Sequence, residues 1–218
     1  MPGAGILFTA IHNGELHFLL GRENKYCSNG KFTYCDFGGG MDNGENYKQT
    51  AARECSEEMR GFLGNYHDLL KLLKNDTNYP LYIDNGEHPR TYRIFIIPMP
   101  YLPYLPILFN QTCDITAQYL QRNIVSTSKI LEKDKMKWMS IHDNSTPLRK
   151  FFKQSIGKIR KCETKIMEYV KMKLPHIQHY FDKYTMRTSV NSKTRRRTLV
   201  KKTKNNFSRN RKTNSLIR

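Results

Sequence analysis

The sequence predicts an α/β fold, and three observations carry that reading. Extended apolar runs occupy residues 5–23 and recur at 91–100. Between them, from Asn46, apolar residues return at three- and four-residue steps, the period of a helix with one buried face. Residues 183–218 are polar and basic, a composition that cannot bury enough apolar surface to fold alone.

In chain order, "GILFTAIH" and "ELHFLLGRE" read as two strands joined at Asn13-Gly14, a pair favoured in tight hairpin turns. "KYCSNGKFTYCDF" adds another turn and several aromatic residues, then runs into Gly38-Gly39-Gly40. That glycine run is expected to turn sharply and bring backbone close to the site. Ala52, Cys55, Met59 and Phe62 mark the apolar face of the next helix, and Asn46 with Gln49 forms a capping box at its start. "YHDLLKLLKN" fits either a short helix or the entry to a strand, whereas "TYRIFIIPMP" is a strand ended by proline. "YLPYLPILFN", apolar but interrupted by prolines, reads as a loop lying against the body near a substrate entrance. Beyond Asp114 a helix is expected, then a strand or turn around Trp138. After Pro147, the residues Phe152, Ile156, Ile159, Ile166 and Val170 line one face of an amphipathic helix whose ordinary fate is to pack across a sheet.

These elements divide the chain into a catalytic body at 1–150, an amphipathic helical extension at 151–182 and a basic flexible tail at 183–218. Of the formal charge of +18, thirteen positive residues belong to the tail, leaving about +5 for the rest. No run of apolar residues is long enough for a membrane span. The N-terminus has no basic leader, so an intracellular protein, cytoplasmic or nuclear, is expected. Five scattered cysteines suggest reduced thiols rather than a disulfide framework or zinc knuckle. His12, His17, His88 and His142 form no metal or dyad spacing and read as surface or packing residues.

The chemistry concentrates at Glu54, Glu57 and Glu58. Their spacing places three carboxylates on one helix face, opposite the apolar stripe. Such a group repels itself unless a cation sits among it, and hard Mg2+ or Mn2+ suits oxygen ligands. Arg53 is placed to orient a neighbouring acid, while Glu45 projects from the preceding loop. An exposed acidic surface accounts for Glu57 and Glu58 alone, but not for their linkage to the glycines, Glu45, Arg53 and an opposed apolar face.

This set resembles the box of the Nudix hydrolase family. The family pattern has glycine, five residues, glutamate, seven residues, then arginine-glutamate-apolar-any-glutamate-glutamate, and ends with any residue, glycine and an apolar residue. Gly39, Glu45, Arg53-Glu54, Cys55 and Glu57-Glu58 fill the slots in turn. The end departs: Arg60 stands where glycine is expected, and Gly61 comes one place late. The resemblance implies an α/β/α Nudix sandwich with a mixed sheet over the body, followed by the C-terminal helix and a basic disordered tail.

It also implies roles. Glu54, Glu57 and Glu58 would bind Mg2+ or Mn2+, with Glu57 or Glu58 as proton acceptor. Arg53 and Glu45, with Gly38, Gly39 and Gly40, would support carboxylate and loop geometry. Glu132, six residues before Trp138, is a further candidate ligand or base. Its competing reading is charge balance, Glu132 and Asp134 lying among Lys129, Lys133 and Lys135.

The implied reaction is Mg2+-dependent hydrolysis of a diphosphate linkage in a nucleotide derivative. Tyr34, Phe37, Tyr92, Tyr101 and Tyr104 are first of all packing residues, though one of them could stack on a base. The tail would attract phosphate, so mRNA decapping with release of m7GDP stays open as the substrate reading. A diphosphoinositol polyphosphate hydrolase and a non-catalytic RNA-binding protein also stay open. Abundant Lys, Asn, Ile and Tyr fit AT-rich coding, as in microbes or large DNA viruses, in which case the compartment is the host's. The oligomeric state is open.

Overall fold

The computed structural model describes residues 2–24, 32–74, 80–88, 90–120 and 130–182. β1 (Gly3–His12) and β2 (Glu15–Glu23) form the expected antiparallel hairpin, with Phe8 opposite Leu19 and His12 opposite Glu15. Its turn holds Asn13 at φ 51° and Gly14 at φ 79°, the two left-handed residues that a tight hairpin turn requires.

β1 changes partner along one edge. Its first half pairs antiparallel with β4 (Phe37–Gly40), its second half with β2. The freed end of β2 pairs instead with β3 (Tyr34–Cys35). On the other edge of β1 lies β6 (Tyr92–Pro98), in parallel register, and β5 (Leu81–Asn85) pairs antiparallel with β6. β7 (Lys133–Ser140) pairs antiparallel with β2, completing a mixed seven-stranded sheet.

Period-two alternation sorts the side chains between two faces. Leu16, Phe18 and Leu20 of β2 join Leu7, Ile94, Ile96 and Met139 in one buried cluster. Phe152, Ile156 and Ile159 of α4 (Lys150–Lys161) and Ile166 and Val170 of α5 (163–182) close over it. Each such aliphatic side chain contributes roughly 1.5–3 kcal/mol by leaving water. α1 (Tyr47–Glu58) packs against β1, β4 and α2 (Tyr66–Lys74), so the sheet is sandwiched between helices. Residues expected as an extension beyond 150 therefore help to form the main core. The compact unit runs from Met1 to Gln178, and a second unit begins at His179, of which 179–182 are described as helix.

Two local readings are corrected. "YLPYLPILFN" is not a loop throughout: α3 (Tyr104–Tyr119) starts within it. Pro103 is the N-cap and Pro106 lies in the first turn, where a missing N–H breaks no helical hydrogen bond. The glycine run is likewise no sharp turn, since Gly38, Gly39 and Gly40 are extended residues of β4. The left-handed turn falls later, at Gly44 (φ 84°). "YHDLLKLLKN" takes its helical alternative as α2, and Trp138 lies in β7. The expected basic tail lies outside the described residues, as does Lys129.

Candidate active site

α1 begins as its sequence requires. The Asn46 side chain accepts from the Lys48 and Gln49 backbone N–H groups at 3.0 and 3.1 Å, while Gln49 accepts from the Asn46 N–H at 3.0 Å. This capping box orients the first turn, and Arg53 two turns on becomes the organising side chain. Its Nε donates to Glu45 at 2.8 Å, Nη1 to Glu54 at 2.8 Å, and Nη2 to Glu45 at 3.0 Å and the Gly40 carbonyl at 2.9 Å. One planar guanidinium thus ties loop, helix and strand together, a task for arginine rather than lysine. The Arg53 hydrogen bonds hold the Glu45 carboxyl down at about 2, and burial pushes Glu54 up against the pull of Arg53.

Close approach explains the glycine at the head of the box. A Cβ on Gly39 would fall 2.5 Å from the Glu54 carboxylate carbon, so only glycine lets that carboxylate lie against β4. At the helix exit, Arg60 adopts φ 50° where the family pattern has glycine, and Gly61 follows at φ 73°. The Arg60 guanidinium stacks 4.5 Å from the Phe109 ring centroid and donates to Cys113, side-chain contacts that accompany the left-handed backbone.

The three glutamates do not share one exposed face. Glu57 and Glu58 diverge about 100° around the helix axis, and their side chains are 60% and 2% exposed, with Glu54 between them at 13%. Glu58 turns inward. One of its oxygens accepts from the Gly38 N–H at 2.8 Å, and the other lies 3.1 Å from the Lys133 ammonium. Burial pushes the Glu58 carboxyl up and Lys133 opposes that shift. Lys133 is itself 1% exposed and donates to the Cys35 thiol at 2.9 Å. Burial works against its charge, yet Cys35 and Glu58 outweigh that effect and hold its pKa above the ordinary lysine range.

Glu132 is half-buried at the entry to β7, and its charge bears on both Glu54 and Glu58. Its neighbours do not form the surface mixture that the spacing of acids and lysines suggests. Asp134 pairs with Arg22 at 2.8 Å, Lys135 pairs with Asp114 at 2.7 Å, and Lys133 goes inward. Among the described residues, no three His, Cys, Asp or Glu side chains stand together closely enough to hold a metal ion. The donor chemistry nevertheless fits a hard divalent cation: Glu54 lies against a strand stripped of side chains, Glu57 faces solvent beside it, and Glu132 is within electrostatic reach.

A cleft of about 220 Å³ opens beside the glycine strand, lined among others by Asp36, Gly38, Tyr92, Arg149 and Phe151. Gly38 turns toward Tyr92 where Gly39 turns toward Glu54, so the strand separates cleft from carboxylates. Tyr92 donates to Asp36 at 3.0 Å, and burial pushes the Asp36 carboxyl up to about 6. Sequence reading missed Asp36 and took Lys133 only as a charge balancing Glu132 and Asp134. Asp36 stands next to the glycine run, a signal that could have drawn notice; nothing local marks Lys133. Of the aromatic candidates, Tyr92 reaches this cleft, Phe37 packs near Phe8, and Tyr101 stacks on His12 at 3.9 Å, away from the cleft-lining set.

No protein-family model matches the chain, and no curated protein matches it. Solved structures do. An Ap4A hydrolase binary complex from C. elegans is similar at 15% identity and TM-score 0.43, covering 77% of this chain and 98% of its own. RenU, a Nudix hydrolase from M. smegmatis, is similar at 16% identity and TM-score 0.44, covering 76% and 88%. A mutT/nudix family protein from Listeria innocua is similar at 16% identity and TM-score 0.42, covering 78% and 96%. The chain itself has a mixed seven-stranded sheet between helices, with the residues that resemble the Nudix box running from β4 into α1.

Proposed function

We propose that the chain is a divalent-metal-dependent hydrolase cleaving a diphosphate linkage in a nucleotide derivative. The observation that carries this reading is the Arg53 clamp, which draws Glu45 and Glu54 together against a strand that only glycine could form there. Glu54 and Glu57, with Glu132, would hold Mg2+ or Mn2+. A divalent cation there supplies Lewis-acid charge for the diphosphate oxygens and the attacking water.

The chain's own residues do the rest. Arg53 fixes Glu54 and neutralises part of the local negative charge, so an anionic substrate meets less repulsion. Glu57, exposed and without a strong partner, is available to take a proton from water.

The test is a product-resolved hydrolysis screen in Mg2+, with Glu57→Gln as control. It sets nucleotide sugars and dinucleoside polyphosphates beside capped RNA and diphosphoinositol phosphates. Cleavage of a nucleotide diphosphate derivative, lost by about a hundredfold or more in the variant, supports the reading. Normal turnover in the variant would remove Glu57 from the chemistry. The thirteen positive residues of the tail favour a second reading, capped RNA. Release of m7GDP, with small substrates left intact, would establish that one instead.

A further inference from the structure

Lys133 is a fully buried ammonium in direct contact with a box carboxylate, and its place is built into the sheet. Gly21 on the neighbouring strand has no side chain, and a Cβ there would come 3.0 Å from both Cγ and Cδ of Lys133. The lysine stem occupies that space. Its head reaches Glu58 at 3.1 Å and Cys35 at 2.9 Å. Cys35 offers the ammonium a sulfur acceptor, and Glu58 is the carboxyl group that faces it.

Glu58 is thus committed at both oxygens, one to the ammonium and one to the Gly38 N–H. A divalent cation bound to Glu58 would have to displace Lys133 or sit beside it. Displacement leaves a buried ammonium without its partner, and coexistence brings positive charges together where water cannot screen them. Glu54 and Glu57 are less committed: Arg53 holds Glu54 at one oxygen, and Glu57, 3.7 Å from the same guanidinium, is open to solvent.

We propose that Lys133 is the resident counter-cation of Glu58, pinning the last turn of α1 to the glycine strand and keeping Glu58 out of the divalent-cation shell. That shell is left to Glu54, Glu57 and Glu132. Lys133 is therefore a positioning residue, and Glu58 a structural anion rather than a ligand. This rests on the hydrolase reading for its metal, but it is tested by cation binding rather than turnover.

The experiment is Mn2+ titration of the full chain, following free Mn2+ by electron paramagnetic resonance. Native protein is compared with Glu58→Gln, Lys133→Met and the double variant, each checked for folding by thermal denaturation. Loss of even an outer-shell partner typically weakens a metal site about 10- to 100-fold, so loss of a true ligand should cost at least about tenfold. Glu58→Gln is expected to stay within about twofold of native Mn2+ affinity, well short of that loss. Lys133→Met should tighten binding by about tenfold, or add a second Mn2+, by releasing Glu58. The double variant should lose that gain and return to native affinity.

A tenfold loss in Glu58→Gln, or no gain in Lys133→Met, overturns the proposal. If either single variant misfolds through its unpaired charge, the double variant decides, because removing both partners is better tolerated. Native-like Mn2+ affinity there supports the proposal, and a loss of about tenfold refutes it. Native protein that takes up no Mn2+ sinks the metal-dependent reading, while the comparison of Lys133→Met with native protein still decides the lysine's role.

Discussion

Asp36 shows how burial changes the meaning of a single residue. Beside the glycines it is an unremarked acid in the sequence; in the fold it is 4% exposed and bound to Tyr92. Its ordinary carboxyl value of 3.8 rises to about 6 through burial. Between those values the folded chain holds a proton that the unfolded chain has released. Stability therefore falls as pH rises through that window, by up to about 3 kcal/mol if the whole shift is expressed. Replacing Asp36 with asparagine should flatten the slope over this window, leaving the variant nearly equal to native protein near pH 4 and more stable at neutrality. Urea unfolding at several pH values checks it, and an unchanged slope would assign the proton to another group.

At the level of elements, α1 was legible because its determinants are local. The capping box needs only Asn46 and Gln49, and the apolar face needs only helical spacing. Asn46→Ala should cost about 1 kcal/mol, read as a lower urea midpoint at unchanged m-value. A neutral result would mean that α1 is held by packing alone. α3 was less legible, because prolines that exclude a helix interior are tolerated in its first turn. Its role is also non-local: Asn110 donates to the Met136 carbonyl at 3.2 Å and accepts its N–H at 2.7 Å, covering backbone groups of β7.

For the whole molecule, charge separates into a body of about +5 and a tail carrying thirteen positive residues. Counterion release makes such a segment a salt-sensitive attractor of polyanions, indifferent to base sequence. Deleting 183–218 should leave hydrolysis of a small nucleotide within about twofold of native. It should weaken RNA binding at least about tenfold at low salt, with the difference shrinking as salt rises. Filter binding across a salt series, beside the small-substrate assay, measures both. Equal loss on both substrates would place the tail within the folding or chemistry of the body. Among the described residues, no helix is long and apolar enough to cross a membrane.

The sequence by itself determined what depends on neighbours along the chain. The Asn13-Gly14 hairpin, the capped helix, the spacing of Gly39, Glu45, Arg53 and Glu54, and the apolar stripe from Phe152 to Val170 all have short-range causes. Only the tertiary structure decided how Glu57 and Glu58 differ. They are adjacent in sequence, but one faces water and the other meets Lys133, whose strand arrives from across the sheet. Likewise, a run of three glycines reads as flexibility until β1 and Glu54 are laid against it, and then it is a demand for space. Burial and partner choice depend on residues far apart in the chain, and helical spacing along α1 contains no record of them.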